Sequence, residues 1–355
     1  MKKVLKVIIF LVVVLVLIVA AYVAYAYLSY HRLADKIDLE VKNSQSAQLA
    51  PATEYQILSF NIGYGAYPQD YSFFMAGGKY SRAYDQETVE KDLQGIFDIV
   101  KNADPDLFLM QEVDVNGDRS FHVNQVAKIR QGFTDYGSVF AQNYDSPYLF
   151  YPLLDPIGKA KSGLVTAARY EITDSMRYSL PIETNFNKFF DLDRAFSVSH
   201  LPVENGGTLA LINTHLSAFT KDPAVRQAQM EKLFQQMEKE YQAGHYVIVG
   251  GDYNHDLLGN SPTVFNTKEE RETWTHPFPI ADLPTGFRAV TETLADAAIP
   301  SVRDSNAGYE KGSTYVSLID GFLISENVKA SAVEVLDEAF LYSDHNPIVM
   351  HFSLQ

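Results

Sequence analysis

Asp344, His345 and Asn346 stand in direct succession near the end of the chain, immediately before an apolar run over residues 347–352 that predicts a final strand. A carboxylate, an imidazole and an amide can bind a metal ion, hold a phosphate oxygen or transfer a proton. A strand that only closed a sheet would not need three such groups at its beginning. These residues are therefore candidates for one corner of an active site.

Polar residues also end or interrupt the other apolar runs that predict strands. The predicted strands cover residues 55–62, 106–113, 163–170, 208–216, 245–254, 317–325 and 347–354. Among the polar residues that end or interrupt these runs are Asn61, Glu112, Asn213, His215, Asp252, Asn254 and Asp320. Each of them alone is explained as a turn former or a solvated side chain. Together, carboxylates, amides and imidazoles at so many strand ends predict a convergent polar site suited to hydrolysis of a phosphate ester.

The available ligand types limit the metal that such a site could bind. The chain contains no cysteine, which excludes disulfides, thiolate catalysis and cysteine-bound metals. Carboxylate and amide oxygens are hard ligands that suit Mg²⁺ or Mn²⁺. We therefore expect one of these two ions as the cofactor.

Helical patterns alternate with the predicted strands. Residues 87–103 and 223–242 carry apolar side chains at helical spacing, and Asp222 and Pro223 supply a cap and a first turn for the second helix. No second linker and no internal repeat follow Tyr55, so residues 55–355 are predicted to form one domain. The expected fold class is α/β (α+β), with two packed mixed sheets flanked by helices.

The N-terminal segment predicts a membrane anchor. Residues 7–28 form a run of 22 residues without a charge, preceded by three lysines. At about 1.5 Å per residue this run crosses a bilayer core of roughly 30 Å. We expect a cytoplasmic N-terminus at 1–6, a transmembrane signal anchor at 7–29, a polar stalk at 30–54 and an extracytoplasmic domain. The alternative is a signal peptide cleaved after Ala24-Tyr25-Ala26, which would make the protein secreted.

The net charge argues against a dedicated nucleic-acid binder. The chain has a formal charge of −15, and its first 32 residues hold four basic and no acidic side chains, so the remainder carries −19. Such a domain repels nucleic acid and anionic membranes at long range and lacks a broad basic surface. A metal ion could still supply positive charge locally.

The polar motifs resemble those of a known family. In chain order they are LSFNIGYG (58–65), MQEVD (110–114), SGLVTAARY (162–170), NTHLSAF (213–219), GGDYNHD (250–256), LIDGFLIS (318–325) and YSDHNPIVM (342–350). This series is similar in order and spacing to the endonuclease/exonuclease/phosphatase superfamily, which includes pancreatic deoxyribonuclease, sphingomyelinases and inositol-polyphosphate 5-phosphatases. The resemblance spans residues 55–355 and implies a four-layered α/β sandwich. It also implies a metal-dependent phosphoric ester hydrolase that acts on a phosphodiester or phosphomonoester.

The resemblance further implies roles for the matching residues. Glu112 would be the principal metal ligand, assisted by Asn61 and, through water, by Asp344. The metal would neutralise charge on the phosphorus while water attacks in line, without a covalent enzyme intermediate.

The remaining matching residues would act on the substrate. Asp252 would orient or deprotonate the attacking water, with Asn254 beside it binding a phosphate oxygen. His345 would contact the scissile phosphate, and Asp320 would accept its other ring N–H and favour the imidazolium. His215 would stabilise the developing negative charge or assist the leaving group.

Two loops are expected to form the walls of the pocket and to influence the choice of substrate. They cover residues 63–85 and 114–125 and leave the same end of the sheet as Asn61 and Glu112. Their candidate contacts to an anionic substrate are Lys79, Arg82, Arg119 and His122. The alternative for these four is surface ion pairing in an acidic protein.

Three functions remain open from the sequence. A membrane tether favours a phosphoesterase that acts on a membrane lipid, either a headgroup or a glycolipid. A surface or secreted nuclease with the same chemistry is the alternative, although the acidic charge disfavours it. A non-catalytic binding module is disfavoured because the catalytic set is complete. No obligate protein partner is expected.

Overall fold

The computed structural model describes residues 2–189, 193–218, 220, 222–267 and 274–355. Its helices are α1 Lys2–Ser29, α2 Gln86–Ala103, α3 Gln125–Gly132, α4 Pro223–Gln242, α5 Ser261–Val264 and α6 Leu294–Ala297. Its strands are β1 Ile37–Asp38, β2 Tyr55–Asn61, β3 Leu107–Gly117, β4 Gly137–Asp145, β5 Ala160–Ala168, β6 Asp174–Ser179, β7 Ala195–Pro202, β8 Thr208–His215, β9 Tyr246–Asp252, β10 His255–Asp256, β11 His276–Pro277, β12 Phe287–Ala289, β13 Val302–Arg303, β14 Val316–Ser317, β15 Asp320–Ser325, β16 Val328–Val335 and β17 Ile348–Leu354.

Two mixed sheets form the body of the domain. The first has the order β16-β17-β2-β3-β5-β4 and the second β1-β6-β7-β8-β9-β15-β12. The only parallel pairs within them are β2 with β3 and β8 with β9, among the described residues. Parallel neighbours direct their C-terminal ends to the same edge, so the polar ends of these four strands are brought together. The prediction of two packed mixed sheets flanked by helices is confirmed.

Successive side chains of a strand point to opposite faces of the sheet and therefore belong to different layers of the core. In β2, Ile57 belongs to the cluster shared with the second sheet, whereas Leu58 and Phe60 pack with the apolar face of α2. Helix α2 begins at Asp85, whose side chain accepts a hydrogen bond from the backbone N–H of Thr88. Helix α4 covers the second sheet through its own buried apolar side chains. The order of layers is therefore helix, sheet, sheet and helix.

Helix α1 is long and apolar enough to be a membrane span or a signal sequence. Its mean hydropathy is 3.4 over the most apolar stretch, and none of that stretch is buried against the domain. The residues after it, predicted as a stalk at 30–54, lie against the domain. Strand β1 extends the second sheet by pairing with β6, and Leu49 is fully buried. The segment differs from a free spacer because the edge of the sheet supplies hydrogen-bond partners for its backbone.

Gly251 allows β8 and β9 to approach closely next to the polar strand ends. It has φ 145°, and a Cβ atom at this position would lie 2.0 Å from the backbone oxygen of Thr214. A side chain would therefore force the two strands apart directly before Asp252.

We predict that Gly251→Ala destabilises the protein by roughly 2 to 4 kcal/mol, because it adds overpacking to an unfavourable φ. Gly132→Ala is the control: its Cβ would meet only the Phe97 ring, at 3.3 Å. Urea unfolding followed by circular dichroism measures both. A Gly251→Ala protein as stable as the wild type would show that this close approach does not constrain the strands.

Candidate active site

The strand ends surround one cavity of about 600 Å³. Its polar lining includes most of the residues that the sequence singled out, which are Glu112, His215, Asp252, Asn254, Asp344 and His345. Asn61 and Asp320 lie behind these residues and contact them directly. Side chains from both sheets therefore converge on the cavity.

The carboxylate of Asp252 is the centre of this arrangement. Its Oδ2 accepts a hydrogen bond of 2.9 Å from Nδ2 of Asn61, while Nε2 of His215 lies at 3.4 Å and Nε2 of His345 at 3.8 Å. Its Oδ1 accepts a hydrogen bond of 2.8 Å from the backbone N–H of Asn254. Asp252 is only 1% exposed, so these groups take the place of water around a buried carboxylate.

A bulge directs Glu112 into the cavity. The register of β3 against β5 shifts between Met110 and Val113, and Glu112 adopts φ 56°. Bulges re-aim side chains, and non-glycine residues with positive φ are concentrated at functional sites. Tyr64 and Asn254 also have positive φ and line the same cavity.

His345 and Asp320 form a buried ion pair. Nδ1 of His345 lies 2.8 Å from Oδ2 of Asp320, and both residues are almost fully buried. Burial opposes a charge on the imidazole, but the attraction of Asp320 and its hydrogen bond outweigh burial and raise the pKa of His345 to about 10. His345 is therefore an imidazolium at neutral pH, with Nε2 facing Asp252 and the cavity.

His215 has the opposite protonation state. Burial, together with the nearby charges of Arg194 and His345, lowers the pKa of His215 well below its usual value. His215 is therefore neutral at pH 7 and can donate one N–H to a ligand in the cavity. It could stabilise negative charge only as a dipole.

Two acidic side chains that line the cavity have raised pKa values. Burial and the neighbouring Asp320 raise the pKa of Asp252, and burial and the neighbouring Asp344 raise the pKa of Glu112. Carboxylates that face each other without enough positive charge are stabilised by a proton or by a cation.

The donor set around Glu112 fits a divalent cation. Oε1 of Glu112 lies 3.3 Å from Nδ2 of Asn61. Oδ1 of Asn61 accepts a hydrogen bond of 3.1 Å from the N–H of Gly63, and a Cβ atom on Gly63 would lie 3.1 Å from Oδ1 of Asp344. Glu112 and Asp344 thus line the cavity close to Asn61, and their carboxylate oxygens are of the type that Mg²⁺ or Mn²⁺ prefers.

A second group could also bind a metal by distance alone. Ligand atoms of Asp252, Asp320 and His345 all lie within 4.8 Å of one another. However, Asp320 and His345 already neutralise each other, and an imidazolium has no lone pair left for a metal. Glu112, Asn61 and Asp344 therefore stay the predicted metal ligands.

Asn254 lies at the turn after β9, as the sequence predicted. Its Nδ2 donates a 2.8 Å hydrogen bond to the backbone oxygen of Leu216, which fixes the side chain against β8. The second hydrogen on Nδ2 is available in principle for an anionic ligand.

Of the four predicted substrate contacts, only Arg119 lines the cavity. Its guanidinium forms a two-point ion pair with the buried Asp114, at 2.8 and 3.1 Å, and lies 3.7 Å from the centre of the Tyr64 ring. Arg119 is thus held with its charge close to Glu112, where it partly opposes the rise that burial causes in the pKa of Glu112.

The other three predicted contacts lie outside the residues that line the cavity. Arg82 forms an ion pair with Asp155. The ammonium of Lys79 lies over the Tyr80 ring, and the largely exposed His122 bonds Asn116 and Asp118. Arg82 and His122 thus lie in surface pairs with acidic residues, the alternative given for them, whereas Lys79 contacts an aromatic ring. Residues 63–85 do line the cavity, through aromatic and apolar side chains.

Two buried arginines were missed by the sequence analysis. Arg194 lines the cavity close enough to His215 to affect its pKa. Arg303 donates hydrogen bonds of 3.1 to 3.3 Å to four backbone oxygens, two of which belong to Pro68 and Tyr71 of the 63–85 loop. Neither lies in a motif; buried positive charge becomes visible only when the loops are folded.

Asn213 proves to be part of the foundation of the site. Its Oδ1 accepts a hydrogen bond of 2.9 Å from Nε2 of Gln111, and its Nδ2 donates to the backbone oxygen of Val165 at 2.9 Å. These bonds join β8 to β3 and β5. Asn213 therefore ties the two sheets together below the cavity.

The two packed sheets flanked by helices, with polar strand ends around one cavity, match the α/β sandwich implied by the family that the motifs resemble. A model of the Endonuclease/Exonuclease/phosphatase family matches residues 58–345. The chain therefore belongs to this family, as its motifs predicted. Members of the family are metal-dependent hydrolases of phosphate esters, which supports a hydrolase here. No curated protein matches the chain.

Solved structures share the fold at low sequence identity. An endonuclease/exonuclease/phosphatase from Beutenbergia cavernae has a TM-score of 0.55 and 15% identity, over 85% of this chain and 72% of that one. D. rerio TDP2, complexed with a single-strand DNA product, has a TM-score of 0.54 and 16% identity, over 85% and 99%. ANGEL2, a 2′,3′-cyclic phosphatase in complex with adenosine-2′,3′-vanadate, has a TM-score of 0.56 and 14% identity, over 90% and 99%.

We predict that His345 in the metal-free protein stays protonated through neutral pH and titrates near pH 10. Asp320→Asn removes the attracting carboxylate and should lower this pKa by roughly 1 to 3 units. Proton NMR of the imidazole C–H groups in EDTA measures both values, with His345→Gln identifying the signal.

Asp174→Asn is the matched control, because Asp174 pairs with the remote His200 at 2.7 Å. It should leave the His345 titration unchanged. A wild-type His345 that titrates near its ordinary value would contradict the ion pair as the source of its charge.

Proposed function

We propose that this protein is a membrane-anchored, extracytoplasmic phosphoesterase that uses Mg²⁺ or Mn²⁺ to hydrolyse a phosphodiester or phosphomonoester, with a lipid headgroup or glycolipid as its substrate. The observation that carries the chemistry is the arrangement at Asp252, where one buried carboxylate faces a neutral and a protonated imidazole at 3.4 and 3.8 Å. Such a set combines a base, a cation and a neutral donor within the reach of one phosphate.

Each residue has a defined task in the proposed reaction. Asp252 accepts a proton from the attacking water, for which its raised pKa makes it a stronger base. The water oxygen forms a bond to phosphorus as the bond to the leaving oxygen breaks. His345 holds a phosphoryl oxygen through its charged Nε2–H, while Asp320 keeps that ring charged and oriented. His215 donates a hydrogen bond from its neutral N–H to a phosphoryl oxygen or to the leaving oxygen, and the leaving oxygen takes up a proton from water after its bond to phosphorus breaks.

The metal would be held by Glu112, Asn61 and Asp344. When bound it would stabilise negative charge on the phosphate. Asn254 and the buried Arg119 and Arg194 line the same cavity and are suited to hold further phosphate oxygens.

Two observations favour a membrane lipid as the source of the phosphate ester. Helix α1 is apolar enough to cross a bilayer, and the charge of −15 disfavours a long polyanion. A nuclease is the second candidate, since one structural neighbour was solved with a single-strand DNA product.

We predict that the full-length protein in detergent hydrolyses bis(p-nitrophenyl) phosphate, that EDTA abolishes this activity and that Mg²⁺ or Mn²⁺ restores it. His345→Ala and Glu112→Gln should each lower kcat/KM roughly 10²- to 10⁴-fold, because each removes positive charge, or the ligand for it, from the transition state. Release of p-nitrophenolate measures the rate.

Lys79→Ala and His122→Ala are the controls, because both side chains lie outside the residues that line the cavity. They should retain full activity. Hydrolysis that persists in EDTA or in the His345→Ala protein would refute the mechanism.

We predict a preference for lipid over DNA. Initial rates on sphingomyelin, phosphatidylinositol and phosphoinositides in mixed micelles are compared with rates on single- and double-stranded DNA at equal phosphate concentration. Faster hydrolysis of DNA than of every lipid would replace the lipid proposal with the nuclease.

A further inference from the structure

The connection between β4 and β5 begins with an uncharged stretch. Residues 146–154, here called the apolar loop, contain no charged side chain. Leu153 is 81% exposed, Leu154 is completely exposed, and Phe150 and Tyr151 are more than half exposed. Large apolar side chains gathered in water at one place indicate an interaction surface.

The apolar loop is bound to the end of α1. The Tyr22 hydroxyl donates a 3.1 Å hydrogen bond to the backbone oxygen of Tyr148 and accepts one of 3.2 Å from the N–H of Phe150. The N–H of Tyr148 donates to the Tyr25 hydroxyl at 3.1 Å, and the rings of Tyr22 and Phe150 pack edge to face with centres 5.6 Å apart. The loop therefore lies beside the last two turns of the helix.

This contact defines a depth relative to a bilayer. Tyr22 precedes the final residue of α1, Ser29, by seven positions, which corresponds to about 10 Å along the helix axis. If α1 spans the membrane, its last two turns and the loop beside them lie at the boundary between acyl chains and headgroups. Tyrosines are enriched at this level.

The inner side of the same loop forms part of the cavity wall. Leu149 and Tyr151 of the loop line the cavity together with Ile157, which follows the loop, and the Tyr151 ring packs against Phe74 with centres 5.6 Å apart. Met75, which also lines the cavity, is partly exposed next to them. The cavity thus extends from the catalytic residues to an apolar wall whose outer surface is the exposed loop.

We propose that the apolar loop is seated in the membrane leaflet at the C-terminal end of α1, so that the cavity opens at the bilayer surface and takes an amphiphilic phosphate ester whose apolar part stays beside this wall. The proposal rests on the proposed phosphoesterase function and on the anchoring by α1. It adds the surface that docks and the side from which the substrate enters.

The charge pattern identifies the bilayer as the occupant of this surface. A nucleic acid would need basic side chains, and the apolar loop has none. Apolar burial does not depend on charge, so docking should occur on zwitterionic lipid and should change little with salt. Continuity with a helix of mean hydropathy 3.4 places the loop next to lipid rather than next to a second protein.

The absence of native cysteine allows a direct test of depth. Full-length Leu154→Cys is labelled with the fluorophore NBD and reconstituted in phosphatidylcholine vesicles. The label should be several-fold brighter than NBD standards in detergent-free buffer, and nitroxide-labelled lipid should quench it. Ile280→Cys is the matched control, an exposed apolar residue outside the loop. A Leu154 label that is quenched by aqueous iodide and not by the nitroxide lipid would overturn the proposal.

Activity provides a second test that separates this inference from the function on which it rests. Leu153→Ser with Leu154→Ser should leave hydrolysis of bis(p-nitrophenyl) phosphate unchanged, because neither residue lines the cavity. Hydrolysis of sphingomyelin or phosphatidylinositol in the same vesicles should fall at least about ten-fold, since two apolar contacts with the leaflet are lost. Ile280→Ser should change neither rate.

The outcomes are distinguishable. Equal lipid hydrolysis by the double variant and the wild type would overturn the docking role of the loop while the soluble assay still supports the phosphoesterase. A wild type inactive on every phosphate ester would overturn the proposed function, and the depth of the Leu154 label would then decide the docking surface alone.

Discussion

The burial of the Asp252 carboxylate constrains the whole domain, because a charged group removed from water is stable only if its partners are in place. Those partners come from distant parts of the chain. Asn61 belongs to one sheet, His215 and Asn254 belong to the other or to its turns, and His345 precedes the closing strand. The two sheets must therefore pack in one register, and the hydrogen bond between Gln111 and Asn213 below the cavity favours the same register.

The protonation states follow from this packing. Two imidazoles lie within 4 Å of the same carboxylate, yet one is charged and the other neutral. The difference comes from the Asp320 carboxylate, which faces His345 only, whereas His215 has a cation nearby in Arg194. One fold thus provides a fixed cation and a neutral donor side by side without a difference in residue type.

The sequence predicted those strands and site residues whose residue types differ from their neighbours along the chain. Buried runs such as β2, β8 and β9 stood out by composition, and the polar residues at their ends stood out against them. Strands β6 and β7 and the position of β1 at the edge of the second sheet were missed by the sequence analysis. Their polar residues find hydrogen-bond partners only when the strands pair across the sheet. Arg303 was missed by the sequence analysis for the same reason, because its four hydrogen-bond acceptors are backbone oxygens of folded loops. Lys79 and Arg82 belong to a loop that lines the cavity but are not among its lining residues, because loop membership does not determine the direction of a side chain.

Side-chain and backbone contacts connect the catalytic end of the cavity to its apolar wall. The backbone N–H of Arg303 donates to the backbone oxygen of Asp344 at 2.9 Å, and the Arg303 guanidinium holds the loop that carries Phe74. Phe74 in turn packs on Tyr151, next to the residues that contact α1. The apolar wall is therefore connected to the catalytic corner by a continuous series of contacts. A substrate with one phosphate and one apolar part satisfies both ends of this cavity at once, whereas a uniformly charged polymer satisfies only one.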